Sequence, residues 1–234
     1  MARKINVDNA ILRRLQYKNP KRRQDFLEKR IYYLIVCEGQ KTEPNYFEGL
    51  KQTLPQGVLT TCQINIQGLG NNTISLVRQA KNIKSRIEEE SGREVDKLWV
   101  VFDKDSFSAD SFNNAINSCQ TSRPKIHCAW SNEAFELWYL LHFHNFNTAL
   151  SREDYTGLIE KNLKPHLGAD FKYKKNSVEM FHFLTRYGDI HQAIKWAKEL
   201  ARQYEGQGNF ADHNPCTMVF QLVEELISMS NPGL

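Results

Sequence analysis

No run of about eighteen apolar residues occurs in this chain of 234 residues, so no stretch can span a bilayer as a helix. The five cysteines, Cys37, Cys62, Cys119, Cys128 and Cys216, are odd in number, and no two stand as CxxC. That spacing argues against a disulfide framework and a thiolate zinc site, and makes a reducing cytoplasm the expected location. Residues 1–23 lack the apolar core of a secretory signal. The glycine-rich stretch QGLGNNT lacks the GK[ST] of a phosphate loop. It can serve as a plain turn, or offer backbone N–H groups to phosphate ahead of its helix. With 41% hydrophobic and 25% charged residues, the chain has the composition of a soluble globular protein with no membrane partner.

A net excess of positive charge is confined to one segment. Residues 1–30 carry ten Lys/Arg against three Asp/Glu, and the other 204 carry 21 against 24. The overall charge of +4 is therefore the property of an N-terminal arm. Such an arm favours polyanions through counterion release, or is a solvated tail.

From residue 31 the pattern is alternating strand and helix. Ile31–Cys37 is continuously apolar, as a strand buried on both faces is. Thr42-Glu43-Pro44 opens a helix, with Thr42 as its cap. Residues 60–66 read as a second strand, 74–90 as an amphipathic helix, 97–102 as a third strand, 109–119 as a short helix and 125–130 as a fourth strand. SNEAFELWYLLHF (131–143) reads as a buried helix, apolar nearly all round. The order predicts an α/β core over 31–145 with a parallel four-stranded, Rossmann-like sheet flanked by helices. Past residue 146 the strands are expected to stop, leaving a helical C-terminal region, 146–234, packed on the core. Its last helix is opened by Asn214-Pro215.

Two of these strands end in acid. Glu38 follows the first directly, and Asp103-Lys104-Asp105 follows the third. In an open parallel sheet, ligands sit outside the carboxyl ends of the strands. Three hard oxygen donors there suit Mg²⁺ or Mn²⁺, with water and substrate phosphate completing the shell. An acid at a strand end can equally be a turn residue or a helix cap.

The blocks VCEGQKTEPNYF, VFDKD, SNEAFELWYLLHF and NPCTMVFQLVEEL, in that order over roughly residues 30–230, resemble the RloB family. The resemblance implies a Toprim-type domain found in bacterial restriction and abortive-infection (phage-defence) loci, often beside an ATPase. It implies a divalent metal held by Glu38, Asp103 and Asp105. The family's loop more often reads EGEKTE, so Gln40 marks a position that is no essential ligand. Its usual SNP reads SNE here, making Glu133 a departure.

A topoisomerase needs a strand-holding gate and a primase a template-handling domain, and the chain has room for neither. Nuclease chemistry needs only metal, water and a phosphodiester. The expectation is thus a metal-dependent nuclease acting on DNA or RNA. Asp103 and Asp105 hold the ion, and Glu38 is a ligand or the general base. Glu43 either holds a second ion or complements the helix dipole. Glu136, an acid inside an apolar helix, is expected to face the same crevice, with Asn132 one turn earlier on the same face; a structural buried acid is the alternative. Lys41, Lys104 and Lys175 are candidate phosphate contacts or surface lysines. The run Phe171-Lys172-Tyr173-Lys174-Lys175 mixes basic and aromatic groups as single-strand binders do. His142 and His144, two apart, do not share a helix face and read as core or boundary residues. VFDKDS also fits the haloacid-dehalogenase phosphatases, but no later GDxxxD completes that pattern. A different class remains: a non-catalytic, nucleic-acid- or nucleotide-binding partner of an ATPase.

Deleting residues 2–23, which hold eight Lys/Arg, is expected to weaken nucleic-acid binding equally for all sequences and to flatten log affinity against log salt. Binding titrations at several salt concentrations check this, and an unchanged slope makes the arm a bystander.

Overall fold

Tyr33, Ile35 and Cys37 turn to one side of the first strand, and Leu34 and Val36 to the other, and each set lies inside its own core cluster. The computed structural model, which describes residues 31–54, 59–63, 73–104 and 107–230, thus has a sheet covered on both faces. The strands are β1 (Tyr33–Cys37), β2 (Leu59–Gln63), β3 (Lys97–Asp103), β4 (His127–Asn132) and β5 (Cys216–Thr217), in the spatial order β2-β1-β3-β4-β5. The first four pair in parallel.

The fifth corrects the expected all-parallel, four-stranded sheet. β5 runs antiparallel to β4, pairing Ser131 with Thr217 and Asn132 with Cys216. The Met218 amide donates to the Trp130 carbonyl at 2.7 Å, and the Ser131 and Thr217 hydroxyls bond at 2.9 Å. This pairing draws residues 131–132 into the strand, so the predicted helix over 131–143 shrinks to α4 (Glu136–Leu140). For the same reason the last helix, α8 (Val219–Ser230), starts after Asn214-Pro215 and not at it.

The other helices are α1 (Thr42–Lys51), α2 (Thr73–Ser91), α3 (Ala109–Thr121), α5 (Arg152–Leu167), α6 (Met180–Tyr187) and α7 (Ile190–Arg202), with a 3₁₀ turn at Phe210–Asp212. Side chains of α2 and α3 cover one sheet face through Leu76, Ala80, Phe112 and Ile116. The other face is packed by α1, α4 and the helices from α5 onward, with Trp138 fully enclosed at its centre. Ser108 caps α3, accepting from the Ser111 amide, and Asp189 caps α7. Lys41, not Thr42, is the cap residue of α1; the Thr42 hydroxyl is used elsewhere, as described below. The basic arm, residues 67–72 and Asp105 lie outside the described residues. No helix among the described residues is long and apolar enough to cross a membrane.

Gly49 marks where α1 and α6 approach most closely. A Cβ there would lie 2.5 Å from Phe181 Cβ and 2.7 Å from its Cγ, too near the Phe181 backbone for a rotamer change to relieve. Overpacking of this kind costs about 1–3 kcal/mol, more than the helix-propensity gain of about 1 kcal/mol from Gly to Ala. Gly49→Ala is therefore expected to lower the urea midpoint with little change in slope.

Candidate metal centre

The sheet continues for one residue beyond β1 and β3. The Glu38 amide donates to the Val101 carbonyl at 2.8 Å, and the Lys104 amide to the Ser131 carbonyl at 2.9 Å. Cys37 pairs with Val101, so Glu38 and Asp103 leave the same edge of the sheet from neighbouring strands. Asp103 continues the side of Trp99 and Val101, as alternation along a strand requires. Its Oδ2 accepts from the Phe135 amide at 3.0 Å, which joins the end of β3 to the start of α4.

Asp103 is only partly covered as a residue, yet its carboxylate is turned inward. Oδ1 is shut from solvent and has no hydrogen-bond partner among the described residues. Burial pushes this carboxyl well above the usual carboxylate range, and the charges of Glu43 and Glu136 push it further. The Phe135 amide pulls in the opposite sense, and Glu38 adds a smaller push upward. Four acids from β1, α1, β3 and α4 are thus brought within electrostatic reach of one another.

Glu43, in the first turn of α1, is buried. Its carboxylate folds back over the loop. A Cβ on Gly39 would lie 2.0 Å from Glu43 Oε2 and 2.6 Å from its Cδ. Glycine at position 39 is what lets the acid lie there. Gln40 and Lys41 are exposed on the same loop.

Glu136 is 3% exposed, and two groups meet its Oε1. The Tyr173 hydroxyl donates at 3.1 Å, and Lys175 Nζ pairs with it at 3.3 Å. Burial first, and then the charge of Glu136 and the bond to it, raise the Tyr173 phenol far above its ordinary range, so it stays a donor. Both side chains come from the irregular stretch between α5 and α6, which is fastened at two places. The Tyr173 amide and Lys172 Nζ bind Glu160 of α5, each at 3.2 Å. The Lys175 carbonyl accepts from the Thr42 hydroxyl at 3.3 Å, and the Asn45 amide group donates to the Asn176 carbonyl at 3.1 Å. The Tyr139 hydroxyl also reaches the Thr42 carbonyl, at 3.1 Å.

Several sequence expectations change here. Asn132 is not a helical turn ahead of Glu136. It closes β4, and its side-chain amide donates to the Ala211 carbonyl at 2.9 Å, because pairing with β5 holds it in the sheet. Lys104 Nζ donates to the Phe107 carbonyl at 3.0 Å, closing its own loop. In the run 171–175, Tyr173 is buried on Glu136 and Lys172 is paired with Glu160, while Lys172, Lys174 and Lys175 remain exposed. Sequence reading missed Tyr173 as a partner of Glu136. The available signal was its spacing from Lys175, since residues two apart in extended chain share a face. His142 is buried, its Nδ1 on the Trp138 carbonyl at 2.9 Å, and burial brings its pKa down to about 4. It is a core residue. His144 is exposed and bonded to Asn162 at 2.7 Å.

A divalent cation suits this crevice on two observations: the enclosed, unpartnered Oδ1 of Asp103, and the acids whose charges it feels. Among the described residues no three His, Cys, Asp or Glu side chains form a ready-made ligand cage. Mg²⁺ ordinarily takes one or two carboxylates and keeps several waters, so Asp103 with one neighbour meets its demand.

The family description "RloB-like protein" matches residues 33–226. No curated protein and no solved structure matches the chain.

A carboxyl whose native pKa exceeds its unfolded value of about 4 holds its proton more tightly in the native state. Stability then falls as pH rises from that value to the raised one. Without metal, Asp103→Asn is expected to melt higher than the wild type at neutral pH and to lose this part of the decline. Thermal melts in chelator across the acid-to-neutral range check it, and equal melting of the two proteins at every pH contradicts it.

Proposed function

Because the chain belongs to the RloB-like family, we propose that it is a Mg²⁺-dependent nuclease of bacterial antiviral defence, built on a Toprim-like sheet and working in the cytoplasm beside an ATPase. The observation that carries this reading is the buried, unpartnered oxygen of Asp103 amid three further acids at the carboxyl edge of a parallel sheet. Such crowding is costly without a cation, and a phosphodiester brings negative charge that needs one too.

A bound Mg²⁺ or Mn²⁺ would supply Lewis-acid polarisation of the phosphoryl oxygen and a water of lowered pKa. Asp103 Oδ1 and Glu136 would hold it, with Asp105 as the further ligand that the family resemblance implies. Glu38, half-buried at the mouth, is placed to orient the attacking water or accept its proton. Lys41, exposed on the loop, would meet the incoming phosphate. Glu43, folded over Gly39, supports the loop that carries Glu38.

A second reading has its own support. Glu136 is already met by Lys175 and Tyr173, so part of the charge is balanced within the chain. A partner protein that binds nucleic acid or nucleotide without cleaving it is consistent with that.

Purified full-length protein incubated with RNA, DNA and a phosphomonoester in Mg²⁺ or Mn²⁺ separates these readings. Metal-dependent cleavage of a polynucleotide is expected, with Asp103→Asn reducing it on the order of a hundredfold or more while leaving the protein folded. A fully active Asp103→Asn variant defeats the nuclease reading, and nucleic-acid binding without turnover supports the second.

A further inference from the structure

Glu136 lies in a helix whose neighbours, Phe135 and Leu137–Leu141, are all buried. A carboxylate in such surroundings needs a counter-charge and a donor, since the desolvation cost of an unpaired ion is several kcal/mol. Both arrive on one oxygen from two residues of one segment, Tyr173 and Lys175. The two differ in a telling way. The Tyr173 side chain is packed inside the core, whereas that of Lys175 is 46% exposed beside a Glu136 side chain that is 4% exposed.

The backbone around Lys175 is held by α1 through Thr42 and Asn45. The ammonium itself sits on a flexible four-carbon stem whose outer side faces water. It can therefore leave Glu136 without any movement of the chain that carries it. Loss of the ammonium alone would leave the buried Glu136 carboxylate without a counter-charge, so its departure needs a replacement cation. A divalent ion at the same carboxylate brings twice the charge, and it repels an ammonium on the same oxygen.

We propose that Lys175 is a displaceable counter-ion: it neutralises Glu136 in the metal-free protein, yields that carboxylate when a divalent cation binds between Asp103 and Glu136, and then faces the substrate phosphate at the rim. This rests on the metal reading given above. Tyr173, which cannot move away as easily, keeps its hydroxyl on Glu136 and fixes the direction of the carboxylate in both states. The exchange keeps the crevice from holding either an excess of negative charge before binding or an excess of positive charge after it. It makes Lys175 a positioning residue whose place depends on the metal.

Mn²⁺ binding to the full chain, followed by calorimetry or by the spin-resonance signal of the free ion, tests this directly. With the competing ammonium removed, Lys175→Met is expected to bind Mn²⁺ roughly fivefold tighter or more and to show a larger metal-induced rise in melting temperature. Equal or weaker binding by a folded Lys175→Met protein overturns the exchange. A second measurement needs no variant. Acetylation of wild-type lysines by an amine-selective reagent, mapped by mass spectrometry, is expected to speed up at Lys175 when Mg²⁺ is added. Lys172, paired with Glu160 at 3.2 Å, serves as the internal reference. A Lys175 rate that does not respond to Mg²⁺ while the protein binds the ion also overturns the exchange. Failure of the wild type to bind any Mn²⁺ defeats the metal reading itself, a separate and distinguishable result.

Discussion

Mutual repulsion among acids at the carboxyl edge of the sheet is the constraint around which the crevice is arranged. A parallel sheet buried on both faces has only its ends free for chemistry, and here the ends of β1 and β3 carry Glu38 and Asp103. Two more acids enter from α1 and α4. Each is contained by a different device. Glu43 lies at the positive end of α1, over a glycine that leaves room for it. Glu136 takes an ammonium and a phenol. Asp103 receives one backbone amide, and its second oxygen receives nothing from the described residues. That buried oxygen is the one at which the metal reading proposed above would seat a cation.

The containment ties the two parts of the chain together. Tyr173 and Lys175 lie far along the sequence from β3, yet they hold an acid that raises the Asp103 carboxyl. Their segment is secured by Glu160 of α5 on one side and by Thr42 and Asn45 of α1 on the other. α6 follows at once and packs so closely on α1 that Gly49 has no space for a methyl group. The later part of the chain therefore does more than cover a sheet face: its stretch between α5 and α6 supplies the partners of an acid in a crevice built from residues 38–136.

The parts of this arrangement that sequence reading reached are those written in local pattern. β1 and β3 were legible because both faces are buried, which leaves an unbroken apolar run ending abruptly in acid. Glu136 was legible because an acid in Phe135-Glu136-Leu137-Trp138 has no polar neighbours to explain it. What was not legible depends on distant partners. The stretch 131–143 is apolar nearly all round, so it carries no period to mark where strand ends and helix begins; the two residues of β5 decide that from far along the sequence, as the Ser131–Thr217 and Asn132–Cys216 pairs show. Asn132 was misplaced for that reason. Thr42 looked like a cap because Thr before an acid and a proline is the usual signature, but its hydroxyl finds the Lys175 carbonyl instead. The run 171–175 looked like a binding strip because it mixes basic and aromatic side chains, and only tertiary packing shows that Tyr173 turns in.

The chain departs at two positions from the blocks that carry its family resemblance. Where the family more often has an acid at position 40, this chain has Gln40, and where it has proline at 133, this chain has Glu133. Gln40 sits exposed on the loop that carries Glu38, and Glu133 is half-buried at the turn between β4 and α4. Relative to that pattern, one acid is lost on the loop after β1 and one is gained at the turn between β4 and α4. Lys175 also neutralises charge on that side, through Glu136. The exposed loop around Lys41 is correspondingly less negative.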